Sequence, residues 1–282
     1  MACIGRLNRL KVIRKLENGF LLDGEELGEV LMPRAFAAPE IRVGDTAEVF
    51  VYRDAEARLV ATPQKPLGVV GECAFLKVTA VTPVGAFLDW GLPKDLLVPF
   101  SEQKQKMETG KSYTVFITLD EKTGRIVGSS KLSRFLDKTP AAYQENQEVD
   151  LLIFGQTASG YRAIINNAHW GVLYKNEVFQ PLQRGERVRG FIKKIREDGR
   201  IDLWLHKPGP EKVDELAEKI LGKLRDQGGF LAVTDRTPAE TISGMFGVSK
   251  KTYKKAVGAL YRKRLLVIEE TGIRLVRSAE SD

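Results

Sequence analysis

The stretch that decides the fold of this chain lies between residues 71 and 131. Its four blocks read Gly71-Glu-Cys-Ala-Phe75, Val84-Gly85-Ala86-Phe87-Leu88-Asp89, Asp95-Leu96-Leu97-Val98-Pro99 and Gly124-Arg125-Ile126-Val127-Gly128. Short runs that alternate apolar and polar residues between glycine, proline and aspartate are typical of half-buried β-strands. A glycine just before such a run allows the tight curvature of a small barrel. This stretch therefore predicts one small β-barrel.

Two weaker copies of this pattern flank it. The upstream copy reads Gly19-Phe20-Leu21-Leu22-Asp23 and then Glu29-Val30-Leu31-Met32-Pro33, and the downstream copy reads Gly160-Tyr161-Arg162-Ala163-Ile164-Ile165 and then Trp170-Gly171-Val172-Leu173-Tyr174. Generic strands with coincidental glycines would be the alternative to a true repeat. We predict three barrels at residues 1–63, 67–138 and 145–207, because each copy has the size of one barrel and prolines separate the copies.

After Pro210 the apolar residues recur at helical spacing. Thr237 is expected as an N-cap, with Pro238 as the first helical residue, and Ser249 is expected to cap a helix from Lys250 to about Arg264. A hairpin around Thr271-Gly272 would follow, and we expect a disordered tail from Arg277. The chain is therefore predicted to be mainly β and multi-domain, with three OB-fold barrels in tandem followed by a C-terminal winged helix-turn-helix at 211–276.

The middle block resembles the S-one type RNA-binding domain, a five-stranded OB-fold barrel. The C-terminal run Thr234-Asp235-Arg236-Thr237-Pro238, with Phe246-Gly247-Val248-Ser249-Lys250-Lys251 after it, resembles the bacterial conserved virulence factor B family, also called the YitL family. This resemblance covers residues 1–276 and extends to the combination of three S-one type domains with a winged helix. It implies an RNA-binding, post-transcriptional regulator without catalysis.

Charge and composition limit the partners and the chemistry. The 44 lysines and arginines exceed the 37 aspartates and glutamates, which gives a net charge of +7 and favours a polyanionic partner. No apolar run approaches the ~20 residues of a membrane helix, so we expect a cytoplasmic protein without a membrane partner. The only cysteines are Cys3 and Cys73, and the two histidines match no catalytic motif. We therefore expect no enzyme activity, metal, cofactor or small-molecule substrate.

Aromatic candidates for RNA binding follow from the resemblance. Single strands bind where bases stack on exposed aromatic rings beside a basic track. One of the family's two stacking positions is carried over to Phe87, with Phe20 and Tyr161 in the outer repeats. Tyr174 occupies the position of a family histidine, and Val84 replaces the other stacking aromatic. The alternative for each ring is a place in the barrel core, which the sequence alone does not decide.

Basic candidates lie in two groups, for which an ordinary solvated surface is the alternative. Four flank a strand of the third repeat, and five share one face of the predicted helix after Ser249. They are Arg187, Arg189, Lys193 and Lys194, and Lys250, Lys251, Lys254, Lys255 and Arg262.

These observations favour single-stranded RNA as the partner, bound without catalysis, with the ribosome or RNA-processing machinery as a further possible contact. One alternative is a transcription regulator that binds duplex DNA through the winged helix. Another is a scaffold protein on the ribosome or on a ribonuclease. Lysines hold phosphates and carry little sequence information, which argues against specific duplex reading by the predicted helix.

Overall fold

The computed structural model describes residues 1–54, 56–175, 177–178, 180–206 and 210–276. In the last of these ranges, side chains are described from residue 214 onward. Three closed five-stranded barrels and a winged helix are present, which confirms the predicted fold class. The chain divides into two compact units. The first contains residues 1–140 and 167–169, and the second contains residues 141–166 and the chain from residue 170 onward.

The three barrels have one topology. Barrel 1 consists of β1 (Leu7–Leu16), β2 (Gly19–Asp23), β3 (Glu29–Pro33), β4 (Thr46–Arg53) and β5 (Leu59–Thr62). Barrel 2 consists of β6 (Cys73–Thr82), β7 (Gly85–Asp89), β8 (Leu96–Pro99), β9 (Ser112–Leu119) and β10 (Ile126–Ser129). Barrel 3 consists of β11 (Glu148–Thr157), β12 (Gly160–Ile165), β13 (His169–Tyr174), β14 (Arg187–Ile195) and β15 (Ile201–Trp204). In each barrel the third and fifth strands are parallel neighbours.

A glycine begins the second strand of every barrel because the partner strand leaves no room for a side chain. At Gly85 the backbone φ is +149°, and a β-carbon would lie 2.4 Å from the Val98 carbonyl oxygen. At Gly160 φ is +150°, and the corresponding distance to the Leu173 oxygen is 2.0 Å. Glycine alone tolerates this conformation and this approach. The repeat seen in the sequence thus reflects one steric requirement of the barrel.

Barrels 1 and 2 share apolar packing within the first unit. Phe50 lies on β4 of barrel 1 but is buried among the core residues of barrel 2. Its ring meets Trp90 edge to face, with 5.6 Å between the ring centroids. The Val70 N–H donates to the Gly5 carbonyl at 2.8 Å and ties the chain between the barrels to the N-terminus. The two barrels therefore form one packed body.

The winged helix consists of α1 (Pro210–Asp226), β16 (Phe230–Leu231), α2 (Ala239–Phe246), α3 (Lys250–Arg262), β17 (Leu266–Ile268) and β18 (Ile273–Leu275). The start of α2 differs by one residue from the prediction. Pro238 is the N-cap, and Thr237 instead accepts a hydrogen bond from the Thr234 N–H at 2.9 Å. Ser249 caps α3 as predicted, since its hydroxyl accepts from the Thr252 N–H at 3.1 Å.

Two predictions fall on parts of the chain outside the described residues. They concern the end of the third barrel at Lys207 and the tail from Arg277. Within the described residues, no helix is long and apolar enough to cross a membrane.

Candidate nucleic-acid interface

The outer face of barrel 2 carries a row of apolar side chains across three strands. Phe87 on β7 pairs with Leu97 on β8, and Leu97 pairs with Val127 on β10. The neighbours of Phe87 along β7, Ala86 and Leu88, are buried in the core. Successive side chains of a strand alternate between faces, so Phe87 lies on the outside, where it is half-buried. This row is called the barrel 2 platform below.

The corresponding rows of the other barrels are chemically different. In barrel 1 the row is Leu21, Leu31 and Val60, which is aliphatic. In barrel 3 the equivalent positions are Arg162, Val172 and Asp202. Among these three rows, only the barrel 2 platform presents an aromatic ring for base stacking.

The prediction that Phe20 and Tyr161 occupy the position equivalent to Phe87 is wrong by one residue. Phe20 and Tyr161 directly follow the strand-opening glycine, whereas Phe87 comes two residues after it. Because side chains alternate, this slip moves the ring to the other side of the strand. Phe20 is only 8% exposed and lies in the core of barrel 1, and Tyr161 packs against the core of barrel 3. Neither ring is on the outer row.

Tyr174 is held in place by the ion pair between Arg196 and Asp202. Asp202 is 2% exposed and accepts hydrogen bonds from Arg196 Nε at 2.9 and 3.0 Å. Arg196 also donates to the Tyr174 hydroxyl at 2.6 Å, and its guanidinium carbon lies 5.6 Å from the centre of the tyrosine ring. The hydrogen bond to Asp202 is the largest cause that raises the pKa of Arg196; burial opposes it, and the charge of Asp202 adds to the rise. This pairing fixes the Tyr174 hydroxyl to the barrel.

The basic residues predicted on β14 are partly neutralised. Arg189 is exposed but forms ion pairs with Glu148 and Asp150. Lys193 forms an ion pair with Glu177 and lies 5.7 Å from the centre of the Trp204 ring. Arg187 and Lys194 are exposed. The mixed charge makes this strand a weaker phosphate track than its sequence suggests.

A second aromatic group lies on barrel 3, and the sequence reasoning did not bring its members together. The Arg162 guanidinium carbon lies 3.7 Å from the centre of the Trp170 ring, which meets Phe154 edge to face at 5.0 Å. Arg184 lies 5.3 Å from the centre of the Phe154 ring. The alternation of arginine and aromatic residues over three strands and a loop has no local sequence signal, because the contacts form only in the folded barrel.

The predicted cationic face of α3 is present. Tyr253, Ala256, Val257 and Leu260 are buried against the winged-helix core. The opposite face carries four exposed cations, with Lys250 partly exposed beside them: Lys251, Lys254, Lys255 and Arg262. Lys254 forms an ion pair with Asp235, with 3.6 Å between its Nζ and the carboxylate. We name this set the α3 basic face.

A cleft of about 450 Å³ adjoins the barrel 2 platform. Barrel 2 contributes Phe87, Leu97 and an edge of Trp90, and β4 of barrel 1 contributes Tyr52 and Arg53. The sequence reasoning missed the residues from barrel 1. The continuous apolar run Val49-Phe50-Val51 before Tyr52 was the available signal, since it is typical of a strand buried on both faces.

The rim of the cleft carries both signs of charge. Its cations are Arg53, Lys94 and Arg125, and its acids are Asp95 and Asp120. A hydrogen bond from the Thr123 hydroxyl at 2.7 Å, with another from its N–H, lowers the pKa of Asp120, so this carboxylate is ionised at neutral pH. In the described part of the chain, no group of three or more histidine, cysteine or acidic side chains could hold a metal ion.

Two of the barrels and the winged helix match known domain families. An S1 domain model, which is the S-one type of domain, matches residues 4–64 and 70–129, and a CvfB-like winged helix domain model matches residues 218–275. Curated relatives align with this chain over nearly its whole length at low identity. Conserved virulence factor B of Staphylococcus epidermidis is 23% identical over 287 residues, with 99% of this chain and 96% of the relative covered.

The chain belongs to the conserved virulence factor B family. Another relative, the uncharacterized protein YitL of Bacillus subtilis, is 28% identical over 265 residues, which cover 90% of this chain and 86% of YitL. A solved structure from Streptococcus pneumoniae, described as a multidomain protein with nucleic acid binding domains, is 22% identical. That comparison covers 97% of this chain and 98% of the solved chain, with a TM-score of 0.40.

In this member of the conserved virulence factor B family, the candidate binding surfaces lie in two kinds of domain. The barrel 2 platform lies in the second S1 match, Tyr52 and Arg53 lie in the first, and the α3 basic face lies in the CvfB-like winged helix. S1 and winged helix domains are nucleic-acid-binding domains. The chain therefore carries nucleic-acid-binding domains in both of its compact units.

Proposed function

We propose that this protein binds single-stranded RNA in the cytoplasm as a post-transcriptional regulator, without catalysis. The observation that carries the proposal is the barrel 2 platform, where Phe87 stands on the outer face between apolar neighbours. A base can stack on such a ring only when it is free of a duplex, so this surface favours single strands. The predicted domains 1–63, 67–138, 145–207 and 211–276 would then act as linked modules whose weak affinities combine.

The α3 basic face would contribute phosphate contacts. Five cations lie on one helix, and no acidic residue interrupts the helix itself. Lysines bind phosphate as point charges and read few bases, so this face would raise affinity without much sequence preference. Arg187 and Lys194 on barrel 3 would add contacts of the same kind.

A duplex-DNA function is the second candidate, because α3 follows α2 in a helix-turn-helix and its basic face is exposed. The arrangement of side chains supports it less. Apart from Thr252, the exposed side of α3 before Arg262 offers lysines and no asparagine, glutamine or arginine to contact base edges.

The deciding experiment is fluorescence anisotropy of the full chain with labelled single-stranded RNA, single-stranded DNA and duplex DNA over a range of salt concentrations. We expect RNA to bind most tightly. Replacing Lys250, Lys251, Lys254 and Lys255 by glutamine should lower the slope of log affinity against log salt by roughly 0.7 for each lysine that contacts a single strand.

The matched control replaces four exposed lysines of barrel 2, Lys77, Lys104, Lys106 and Lys111, and removes the same charge. It should leave the slope closer to that of the unaltered protein. A preference for duplex DNA would favour the second candidate. Equal effects of the two quadruple variants would show that net charge, and not the α3 basic face, governs binding.

A further inference from the structure

We propose that the cleft between barrels 1 and 2 is a nucleotide pocket, in which Tyr52 and Arg53 of barrel 1 complete the site formed by Phe87 on barrel 2. The inference rests on the proposed function and adds that one barrel alone does not hold the nucleotide. The volume of about 450 Å³ falls in the roughly 300–1,000 Å³ range of small-ligand sites. Both barrels belong to one compact unit, so the two walls form a single site.

Aromatic side chains line the cleft from both barrels. Phe50 supports Tyr52 from behind, with 6.3 Å between ring centroids and 24° between ring planes. Trp90 is anchored by the hydrogen bond from its Nε1 to the Lys94 carbonyl at 2.6 Å. Burial, and then the nearby Asp54 charge, raises the pKa of Tyr52, so its hydroxyl stays a donor at neutral pH. Preorganised rings suit a planar, partly polar ligand such as a nucleobase.

A cation from barrel 1 is held over the cleft. Arg53 donates from Nη1 to the Ala57 carbonyl at 2.7 Å. Its Nε lies 3.7 Å from the place that a β-carbon on Gly124 would occupy, so the side chain reaches the turn before β10 of barrel 2. A guanidinium fixed at the rim of an aromatic cleft matches a phosphate beside a base.

The acidic side chains restrict where that phosphate can lie. Asp95 accepts a hydrogen bond from the Thr79 hydroxyl at 2.6 Å, and Asp120 is held by its own turn. Carboxylates repel phosphate but accept hydrogen bonds from ribose hydroxyls and exocyclic amines. A nucleotide offers an anionic end, a donor-rich sugar and a planar base. An entirely anionic or entirely apolar ligand would fit this combination poorly.

The test uses the full chain with a fluorescent 12-mer of uridine, and in a separate arm with free UMP and AMP. The variants are Y52L, which keeps apolar bulk, and R53Q, which keeps length. We expect Y52L to weaken oligonucleotide binding by about fivefold or more, the loss expected for one stacked base. R53Q should weaken it by a similar factor or more, because it removes a hydrogen bond to a charged phosphate. Y52F retains the ring but loses the hydroxyl donor, so it should bind more tightly than Y52L and no more tightly than the unaltered protein.

The matched control is R14Q. Arg14 is another arginine of barrel 1, exposed and ion-paired with Glu29, and its replacement removes the same charge as R53Q. It should alter affinity by less than about twofold, as expected for one surface charge. Thermal melting of every variant checks that it is folded. A 12-mer with 4-thiouridine should also cross-link to residues 46–58, since β4 forms one wall of the pocket.

Each outcome separates the pocket from the proposed function. Oligonucleotide binding that Y52L and R53Q leave unchanged, with no cross-link on β4, would overturn the pocket while the RNA-binding function stands. No oligonucleotide binding by the unaltered chain would overturn the proposed function. In that case binding of UMP or AMP that Y52L abolishes would support the pocket as a site for free nucleotides, and no binding would overturn it as well.

Discussion

Phe20 and Phe87 lie on equivalent strands of barrels 1 and 2 but point to opposite sides of them. Gly19 pairs with Pro33 in barrel 1 as Gly85 pairs with Pro99 in barrel 2, which fixes the equivalence of the strands. Phe20 comes one residue after its glycine and enters the core, whereas Phe87 comes two residues after and reaches the surface. Two motifs that look alike therefore place their aromatic rings in different roles.

Alanine substitutions should separate these roles. F87A should cost about 1–3 kcal/mol of RNA affinity, because a stacked base would lose its ring. F20A should instead lower the free energy of unfolding by roughly 3–5 kcal/mol, because it leaves a cavity in a closed core. Anisotropy and urea denaturation measure the two effects. An F20A protein that is stable but weak in RNA binding would contradict this assignment.

Gly85→Ala should destabilise barrel 2. The new β-carbon would lie 2.4 Å from the Val98 carbonyl oxygen at a φ of +149°, and backbone strain of this kind costs on the order of 1–3 kcal/mol. Gly155→Ala is the matched control, since a β-carbon there meets nothing within 4 Å. Urea denaturation of both variants should show a loss for G85A and little change for G155A. Equal stabilities would argue against the close approach.

Arg196→Met should destabilise barrel 3 more than Arg200→Met. Arg196 is the partner of the 2% exposed Asp202, and its loss leaves that carboxylate unpaired at a cost of roughly 1–3 kcal/mol. Arg200 pairs with Asp198 on an exposed turn, where both side chains are at least half exposed, so its loss should matter little. Chemical denaturation of the two variants checks the difference, and restoration of stability in R196M by Asp202→Asn would identify the unpaired charge as the cause.

The winged helix should lose stability between about pH 10 and pH 12. Burial raises the pKa of Tyr253 to about 12, above the ordinary tyrosine value of about 10. The folded state therefore favours the neutral phenol. Its contribution is fully present below pH 10 and is lost as the pH rises through the folded value. Denaturation midpoints measured from pH 8 to pH 12 in the unaltered chain and in Y253F test this.

Y253F should remove this part of the pH dependence without a stability cost at neutral pH. The Tyr253 hydroxyl is buried and has no hydrogen-bond partner among the described residues, so its removal leaves no other group unsatisfied. A large loss of stability in Y253F at pH 7 would contradict this prediction, because it would mean that the hydroxyl forms a stabilising hydrogen bond.

The barrels were predictable because their requirement is local. A glycine that faces a carbonyl oxygen at the start of a strand recurs at the same point in every copy, and the alternating runs follow it. The face of a ring was harder to predict, since a slip of one residue reverses it and only strand pairing reveals the slip. The cleft was beyond local reasoning, because Tyr52 and Phe87 belong to different barrels and meet only after both have folded.

The position of Phe50 limits how such a chain can evolve. Its backbone belongs to barrel 1, yet its ring is enclosed by barrel 2. A barrel that lends a side chain to its neighbour can no longer be exchanged freely between genes, because cutting between the two would leave an exposed aromatic on one piece and a hole in the other. Selection would then act on the pair as a single heritable block.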